Sequence, residues 1–215
     1  MKIGVLGSGI VGRVLASALL KEGYQVMLGT RDPLKEEVRN WKNEDPAGET
    51  GTFEQCATFG EMIVLAVSGL VAEEALGLAG KNNINSKIII DATNPIAAVP
   101  PQNGVLKFFT NLDKSLMEEL QAAFPEAKFV KAFNSVGNAL MYKPAFNDTL
   151  PTMFICGNDN AAKGSVKQIL DKFGWETADM GGVEAARAIE PLCILWCIPG
   201  LLSNQWQHAF KLLKK

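Results

Sequence analysis

The stretch KIGVLGSGIVG, residues 2–12, decides the fold of this chain. A short apolar run ends at Leu6, and glycines follow at positions 7, 9 and 12, which is the spacing G-x-G-x-x-G. The next residues, VGRVLASALLKEG, are typical of a helix, and QVMLGT at residues 25–30 is typical of a second strand. A strand, a glycine turn, a helix and a second strand give this spacing the context in which it holds a dinucleotide.

Each glycine of the turn has a defined task in such a unit. Gly7 permits the tight turn, Gly9 lets the backbone approach a pyrophosphate, and Gly12 allows the helix to lie close to the strand. A helix that opens at about Ile10 presents free N–H groups and the positive end of its dipole to the anion. The sequence therefore predicts that the first β-α-β unit binds a dinucleotide.

The end of the second strand predicts which dinucleotide is bound. An enzyme that uses NAD usually has Asp or Glu at this point, which binds the ribose 2′-hydroxyl. This chain has Thr30 and Arg31 there, with Lys35 one helical turn beyond. Arg31 can form a charge-assisted fork with a 2′-phosphate, to which Lys35 adds a point charge and Thr30 a hydroxyl donor. Asp32 is followed by Pro33, and we predict that it caps the next helix. We therefore expect NADP(H).

Strand-like runs alternate with helix-like segments along the rest of the chain. The runs MIVLAV (62–67) and KIIIDA (87–92) are almost continuously apolar, as expected of strands covered on both faces. Two further strand-like runs are KFVKAFN (128–134) and TMFICGN (152–158), whereas the polar stretch 41–51 predicts a loop. Most of the connecting segments are long enough for crossover helices. The pattern predicts an α/β, Rossmann-type, doubly wound and mainly parallel sheet.

The pattern of elements changes after Asn134. We assign residues 1–134 to an NADP-binding domain and residues 135–215 to a small C-terminal lobe packed on it, whose sheet is either separate or continuous with the first. This lobe is expected to be α/β and to end in two apolar helices, at about 183–197 and 201–213.

Composition and charge exclude several classes of protein. A formal net charge of −2 and a pI near 5.6 give no electrostatic reason to expect nucleic-acid binding. The apolar run at the start breaks into glycines at once, so we expect no signal peptide. The apolar run 192–202 is about half the ~20 residues that a spanning helix needs, and we expect a cytoplasmic protein with no membrane span. The four cysteines form no C-x-x-C and no cluster with histidine, so no metal site is predicted.

Several motifs together resemble one known family. They are GSGIVG, the strand end GTR with Lys35, MIVLAVSG, DATNP, VKAFNSVG and PTMFICGND, followed by GGVEAARAIEPLCIL near the end. The combination is similar to the coenzyme F420-dependent NADP oxidoreductase family. The cytosolic reductase domain of the six-transmembrane metalloreductases belongs to the same wider group.

The resemblance implies four groups of site residues. The pyrophosphate would be lined by Ser8, Gly9, Ile10 and Val11. The 2′-phosphate would be held by Thr30, Arg31 and Lys35. The nicotinamide half would be bordered by residues that follow two strand ends, namely Val67, Ser68, Gly69, Asn94 and Pro95. The second substrate, a flavin or a deazaflavin such as F420, would stack at Asn134 and Ser135.

The sequence offers no obvious catalytic acid or base. His208 is the only histidine and lies in a segment that predicts a terminal amphipathic helix, and Asp91 is expected to satisfy turn amides at its strand end. Reduction of a carbonyl needs a positioned proton donor. Hydride exchange between two flat rings needs mainly their alignment. No catalytic residue is therefore assigned, and hydride transfer between NADPH and a flavin or deazaflavin is the leading hypothesis.

Two alternatives remain open at this stage. One is an imine or carbonyl reductase related to pyrroline-5-carboxylate reductase. The other, of a different class, is a non-catalytic NADP(H) sensor. The apolar C-terminal segment, with Trp196 and Trp206, further predicts a homodimer, because a small lobe seldom hides so much apolar surface alone.

Overall fold

The computed structural model describes all residues from Met1 to Lys215. Its strands are β1 (Lys2–Leu6), β2 (Gln25–Thr30), β3 (Glu49–Thr52), β4 (Met62–Leu65), β5 (Ile88–Asp91), β6 (Lys128–Lys131), β7 (Thr152–Ile155) and β8 (Glu176–Asp179). Its helices are α1 (Ile10–Lys21), α2 (Glu36–Glu44), α3 (Phe53–Phe59), α4 (Ala72–Ala79), α5 (Lys81–Ile84), α6 (Leu116–Ala123), α7 (Asn160–Lys172), α8 (Ala186–Ile189) and α9 (Leu192–Ser203).

Six strands form one parallel sheet in the order β3-β2-β1-β4-β5-β6. The register pairs Leu6 with Gly29 on one side and with Leu65 on the other, and continues from Leu65 to Asp91 and from Asp91 to Lys131. The carboxyl ends of five neighbouring strands therefore lie at one level. The predicted Rossmann-type, doubly wound α/β sheet is confirmed.

Alternation along the strands supplies two separate apolar cores. Met62 and Val64 belong to the cluster that contains α1 and α7, whereas Ile63 and Leu65 belong to the cluster that contains α3, α4 and α6. Successive side chains of a strand point to opposite faces, so a continuous apolar run fills both cores at once. The two runs that were predicted to be strands covered on both faces, β4 and β5, therefore lie inside the sheet.

The C-terminal part adds a second, smaller sheet. Strands β7 and β8 pair in parallel with each other, and the backbone N–H of Lys131 donates to the Cys156 carbonyl at 3.0 Å, in an antiparallel bridge to the large sheet. Helix α7 contributes Val166, Ile169 and Leu170 to the same apolar cluster as α1. The two parts thus share a core, and a domain boundary at residue 134 remains a proposal.

Two sequence-based expectations for local structure are wrong. The predicted loop 41–51 contains the end of α2 and most of β3, whose polar sequence ETGT carries no apolar signal because it lies at the edge of the sheet. The predicted helix 201–213 is absent, because α9 ends at Ser203 and Asn204 adopts a left-handed conformation (φ 53°). The following tail runs beside β7 instead, where Thr152 N–H donates to the Phe210 carbonyl at 2.8 Å.

The segment Val183–Ser203 is the one stretch that is long and apolar enough to cross a membrane. It comprises a 3-10 turn, α8 and α9, has a mean hydropathy of 1.5 over its best window, and is one-third buried there. The expectation of no membrane span rested on the run 192–202, which is only part of this longer segment. Length and composition alone are weak evidence, since a core helix meets the same criteria. In the structure, Cys193, Trp196 and Gly200 form the buried side of α9.

Candidate functional site

A cleft of about 250 Å³ lies at the carboxyl edge of β1, β2 and β4. In a doubly wound sheet this edge is where ligands bind, at the point where the strand order reverses. Eight of the residues predicted from the sequence line the cleft, namely Gly7, Ser8, Gly9, Thr30, Arg31, Lys35, Val67 and Ser68. Six further residues complete its walls, namely Phe53, Ala66, Val71, Glu74, Ala75 and Leu78.

The glycine turn has the geometry that a diphosphate cradle requires. Gly7 has φ +121°, and a Cβ there would overlap the Ala66 carbonyl. A Cβ at Gly12 would overlap the Gly7 carbonyl, so α1 lies directly against the turn. A Cβ at Gly9 would meet only open space, and Gly9 is the N-cap of α1 with no side-chain cap. Because Gly9 lines the cleft, the start of α1 borders it, and free amides at a helix start suit the pyrophosphate of a dinucleotide.

The end of β2 places a buried hydroxyl beside two exposed cations. Thr30 is buried, and its Oγ1 accepts hydrogen bonds from Ser8 Oγ at 3.1 Å and from the Asp32 N–H at 3.3 Å. Arg31 is exposed at the rim, and the Lys35 side chain is 40% exposed with only a loose 3.9 Å contact to Glu37. Both cations are therefore available to an anionic ligand in the cleft.

Asp32 does not cap the next helix, which corrects the sequence-based expectation. Its Oδ1 accepts a hydrogen bond from the Leu34 N–H at 2.9 Å and so closes a turn within its own loop. Helix α2 begins only at Glu36, with Lys35 as its N-cap and no side-chain cap. The carboxylate thus stabilises the turn that presents Arg31.

Two residues of the predicted pyrophosphate set, Ile10 and Val11, lie outside the cleft lining, as does Gly12 of the glycine turn. Ile10 is 56% exposed at the start of α1, Val11 packs against the apolar core, and Gly12 is buried beneath the turn. Their side chains do not face the cleft, so any contact with a phosphate would come from their backbone. Their assignment to the site remains a proposal.

The predicted nicotinamide and acceptor residues form a second group beyond β4, β5 and β6. A Cβ at Gly69 would overlap the Asn94 carbonyl, so the two loops touch. Asn94 Nδ2 donates to the Asn134 carbonyl at 2.7 Å, and Asn134 Nδ2 donates to Asn94 Oδ1 at 3.2 Å and to the Ile189 carbonyl at 3.0 Å. Pro95 and Ser135 are buried beside them. The structure thus brings these residues together, while their contact with a ligand remains a proposal.

A buried ion cluster lies under this second group. Lys131 Nζ, fully buried, lies 2.7 Å from Asp91 Oδ2 and 3.0 Å from Glu190 Oε1, and donates to the Thr93 carbonyl at 3.0 Å. Burial disfavours the ammonium, but the two carboxylates outweigh it and raise the pKa of Lys131. Asp91 also accepts from the Thr93 N–H and hydroxyl, so its predicted structural role agrees with its contacts.

Glu190 ties the C-terminal segment to α6. Its Oε2 accepts from the Leu116 N–H and its Oε1 from the Met117 N–H, each at 3.0 Å, so it occupies the amides at the start of that helix. Nearby, the Arg187 guanidinium contacts both oxygens of Glu118 and holds the pKa of that carboxyl at about 2. Sequence reasoning missed this docking, because it joins residues about seventy positions apart.

The cleft wall formed by α4 was also missed. Val71, Glu74, Ala75 and Leu78 recur at i, i+3, i+4 and i+7, and thus share one helix face. That spacing directly after a predicted strand was the available signal, but it does not show that the face borders a ligand cleft.

The fold and the cleft define the class of protein. A glycine cradle at the carboxyl edge of a parallel sheet, with cations and no carboxylate at the end of β2, is typical of an NADP-dependent oxidoreductase. The sequence model of the family described as "NADP oxidoreductase coenzyme F420-dependent" matches residues 2–95. The chain belongs to this family, as the motifs predicted, because a protein described in the same terms is 33% identical over the full length of both chains.

Two relatives match nearly the whole of this chain. A candidate F420-dependent NADP-reductase from Arthrobacter sp. FB24 is 33% identical, with a TM-score of 0.93 and full coverage of both chains. Metalloreductase STEAP3 of Rattus norvegicus is 30% identical over 207 residues, which are 94% of this chain and 39% of that protein. The chain therefore spans about two-fifths of the length of this metalloreductase.

A more distant structure shares the fold alone. A pyrroline-5-carboxylate reductase from Coxiella burnetii is 14% identical, with a TM-score of 0.63, and the match covers 89% of this chain and 63% of that one. The fold and family together make this chain an NADP-dependent oxidoreductase.

Proposed function

We propose that this protein transfers a hydride between NADPH and a flavin or deazaflavin acceptor, with F420 as the leading candidate. The observation that carries the proposal is the chemistry of the carboxyl edge beyond β4, β5 and β6. That edge carries Ser68, Gly69, Asn94 and Asn134, which are neutral, with Asn134 only 3% exposed, and the ionisable groups beneath it are paired with one another. Such a surface suits the alignment of two rings better than protonation of a carbonyl.

The residues of the chain would divide the work between binding and orientation. The amides around Gly9 would hold the pyrophosphate, and Arg31 with Lys35 would hold the 2′-phosphate, which fixes one end of the dinucleotide. The bound nicotinamide supplies the hydride. The amide pair of Asn94 and Asn134 would limit where the second ring lies, because its geometry is fixed by hydrogen bonds on both sides.

A reductase of imines or carbonyls is the second candidate. It is favoured by the likeness of fold to pyrroline-5-carboxylate reductase. It requires a proton donor at the edge, and the nearest candidates, Asp91 and Lys131, are fully buried in mutual contact. We therefore rank it below ring-to-ring transfer.

The test is NADPH oxidation under anaerobic conditions with F420, FMN and FAD in one set of reactions and a cyclic imine in another. We expect turnover with at least one ring acceptor, and deuterium from the reactive position of NADPH to appear in reduced F420. Asn134→Ala should lower acceptor use about tenfold or less, because it removes neutral hydrogen bonds. His208→Ala, the matched control, should leave the rate unchanged. Turnover with the imine alone would refute the proposal, and tight NADPH binding without any turnover would favour a sensor.

We further propose that the protein works in the cytoplasm as a homodimer. The support is the exposed side of α9, where Leu195, Leu201 and Leu202 are 55%, 40% and 61% exposed. Light scattering at micromolar concentration tests the homodimer. A monomer would refute it.

A further inference from the structure

The face of α4 that borders the cleft carries no cationic side chain that could hold a phosphate. Val71, Glu74, Ala75 and Leu78 all border the cleft from the α4 side. Leu78 is 50% exposed although it lies beside apolar neighbours, whereas Ala75 is 2% exposed. A large apolar side chain that borders a cleft in this way is suited to contact with the flat face of a ligand.

The opposite wall indicates which part of the ligand lies there. Thr30 ends β2 and Arg31 follows it, and in folds of this type the end of this strand recognises the ribose that carries the adenine base. Phe53, 7% exposed, lies in the same cleft. Arg31 and the α4 face line the same cleft. A base attached to that ribose would lie in the slot between them, where a guanidinium and alkyl groups can both stack on it.

Glu74 is the group in this slot that needs an explanation. Glu74 is an exposed acidic residue that lines the same cleft as the cations Arg31 and Lys35. A like charge near the 2′-phosphate weakens binding unless the carboxylate receives a hydrogen bond from the ligand. Adenine offers one exocyclic donor, its 6-amino group, and carboxylates accept from such donors with above-average strength.

We propose that Glu74 is a specificity residue that accepts a hydrogen bond from the 6-amino group of the adenine of NADP(H), while Leu78 covers the base. The proposal rests on the use of NADP(H) and not on the identity of the acceptor. It assigns to α4 the recognition of the base, and leaves the recognition of the phosphates to the glycine turn and the β2 end.

The test compares NADPH with its hypoxanthine analogue, in which a carbonyl replaces the 6-amino group. Calorimetric titration of the wild type should show NADPH bound about tenfold more tightly, because the analogue leaves Glu74 facing an acceptor. In Glu74→Gln the amide can donate to the carbonyl of the analogue, so the ratio of the two affinities should fall to about one or reverse. The ratio cancels any general effect of the removed charge on the phosphates.

Glu73→Gln is the matched control. Glu73 is the exposed neighbour in the same first helical turn, it does not line the cleft, and its substitution removes the same charge. We expect the wild-type ratio in this variant. Equal binding of both dinucleotides by the wild type, or an unchanged ratio in Glu74→Gln, would overturn the proposal. This test is a ratio of two binding affinities, whereas the proposed function is tested by acceptor turnover in the wild type, so the two failures are distinguishable.

Discussion

Replacement of Arg31 by Gln tests the preference for NADP(H) most directly. Arg31 is exposed at the rim of the cleft, so its fork with a 2′-phosphate should contribute at the lower end of the range of ~1.5–3 kcal/mol for charge-assisted hydrogen bonds. Lys35 stays in place and retains part of the attraction. We therefore expect the affinity for NADPH to fall roughly tenfold to thirtyfold, since ~1.4 kcal/mol is tenfold.

The measurement is calorimetric titration of NADPH and NADH into the folded variant. The affinity for NADH should change less than twofold, because NADH has no phosphate for Arg31 to bind. Arg39→Gln is the matched control, since Arg39 lies on α2, contacts the Leu34 carbonyl and removes the same charge outside the cleft. Equal losses for the two dinucleotides, or an equal loss of NADPH binding in Arg39→Gln, would refute the role of Arg31.

The remaining predictions concern the cradle, the buried ions and the docked C-terminal segment. Gly9→Val should abolish NADPH binding with little change in thermal midpoint, because the added side chain enters the open cleft; retention of wild-type affinity would place the cradle elsewhere. Lys131→Met should lower the free energy of unfolding by about 3–5 kcal/mol, because it leaves two buried carboxylates without their partner. Lys167→Met, which breaks an exposed ion pair, should change it by less than ~1 kcal/mol, and similar losses in a urea titration would contradict this account. Since Arg187 holds the pKa of Glu118 at about 2, against 4.5 for an ordinary glutamate, the stability that this ion pair contributes is present above about pH 4.5 and is lost as the pH falls towards 2. Unfolding at a series of pH values should therefore show a shallower acid decline in Glu118→Gln than in the wild type, and identical profiles would remove this carboxyl as a cause.

The sequence predicted those elements whose causes are local. The helix that opens at Ile10 and the strand at residues 25–30 lie where the glycine spacing and the apolar runs placed them. Strand β3 was missed because an edge strand needs no apolar alternation, and ETGT shows none. The tail after Asn204 was assigned to a helix because its partner, Thr152, lies about sixty positions away.

The candidate site divides along the same line. The phosphate-binding side of the cleft could be predicted from the sequence, because Gly7, Gly9 and Arg31 act through backbone freedom and charge at fixed spacing. The slot beside α4 could not be predicted from the sequence. The packing of two crossover helices determines whether Glu74 and Leu78 border a cleft. The pairing of Lys131 with Glu190 likewise depends on the return of the chain end to the sheet.

The contact between Glu190 and the start of α6 affects the order in which the chain can fold during its synthesis. A ribosome releases the phosphate cradle and all six strands of the large sheet well before residue 190 emerges. Until then, Lys131 has only one of its two carboxylates, and the amides of Leu116 and Met117 have only water as a partner. The nascent chain can therefore form the large parallel sheet first, whereas the contacts of Lys131 and of the start of α6 are completed only after the segment around Glu190 has emerged.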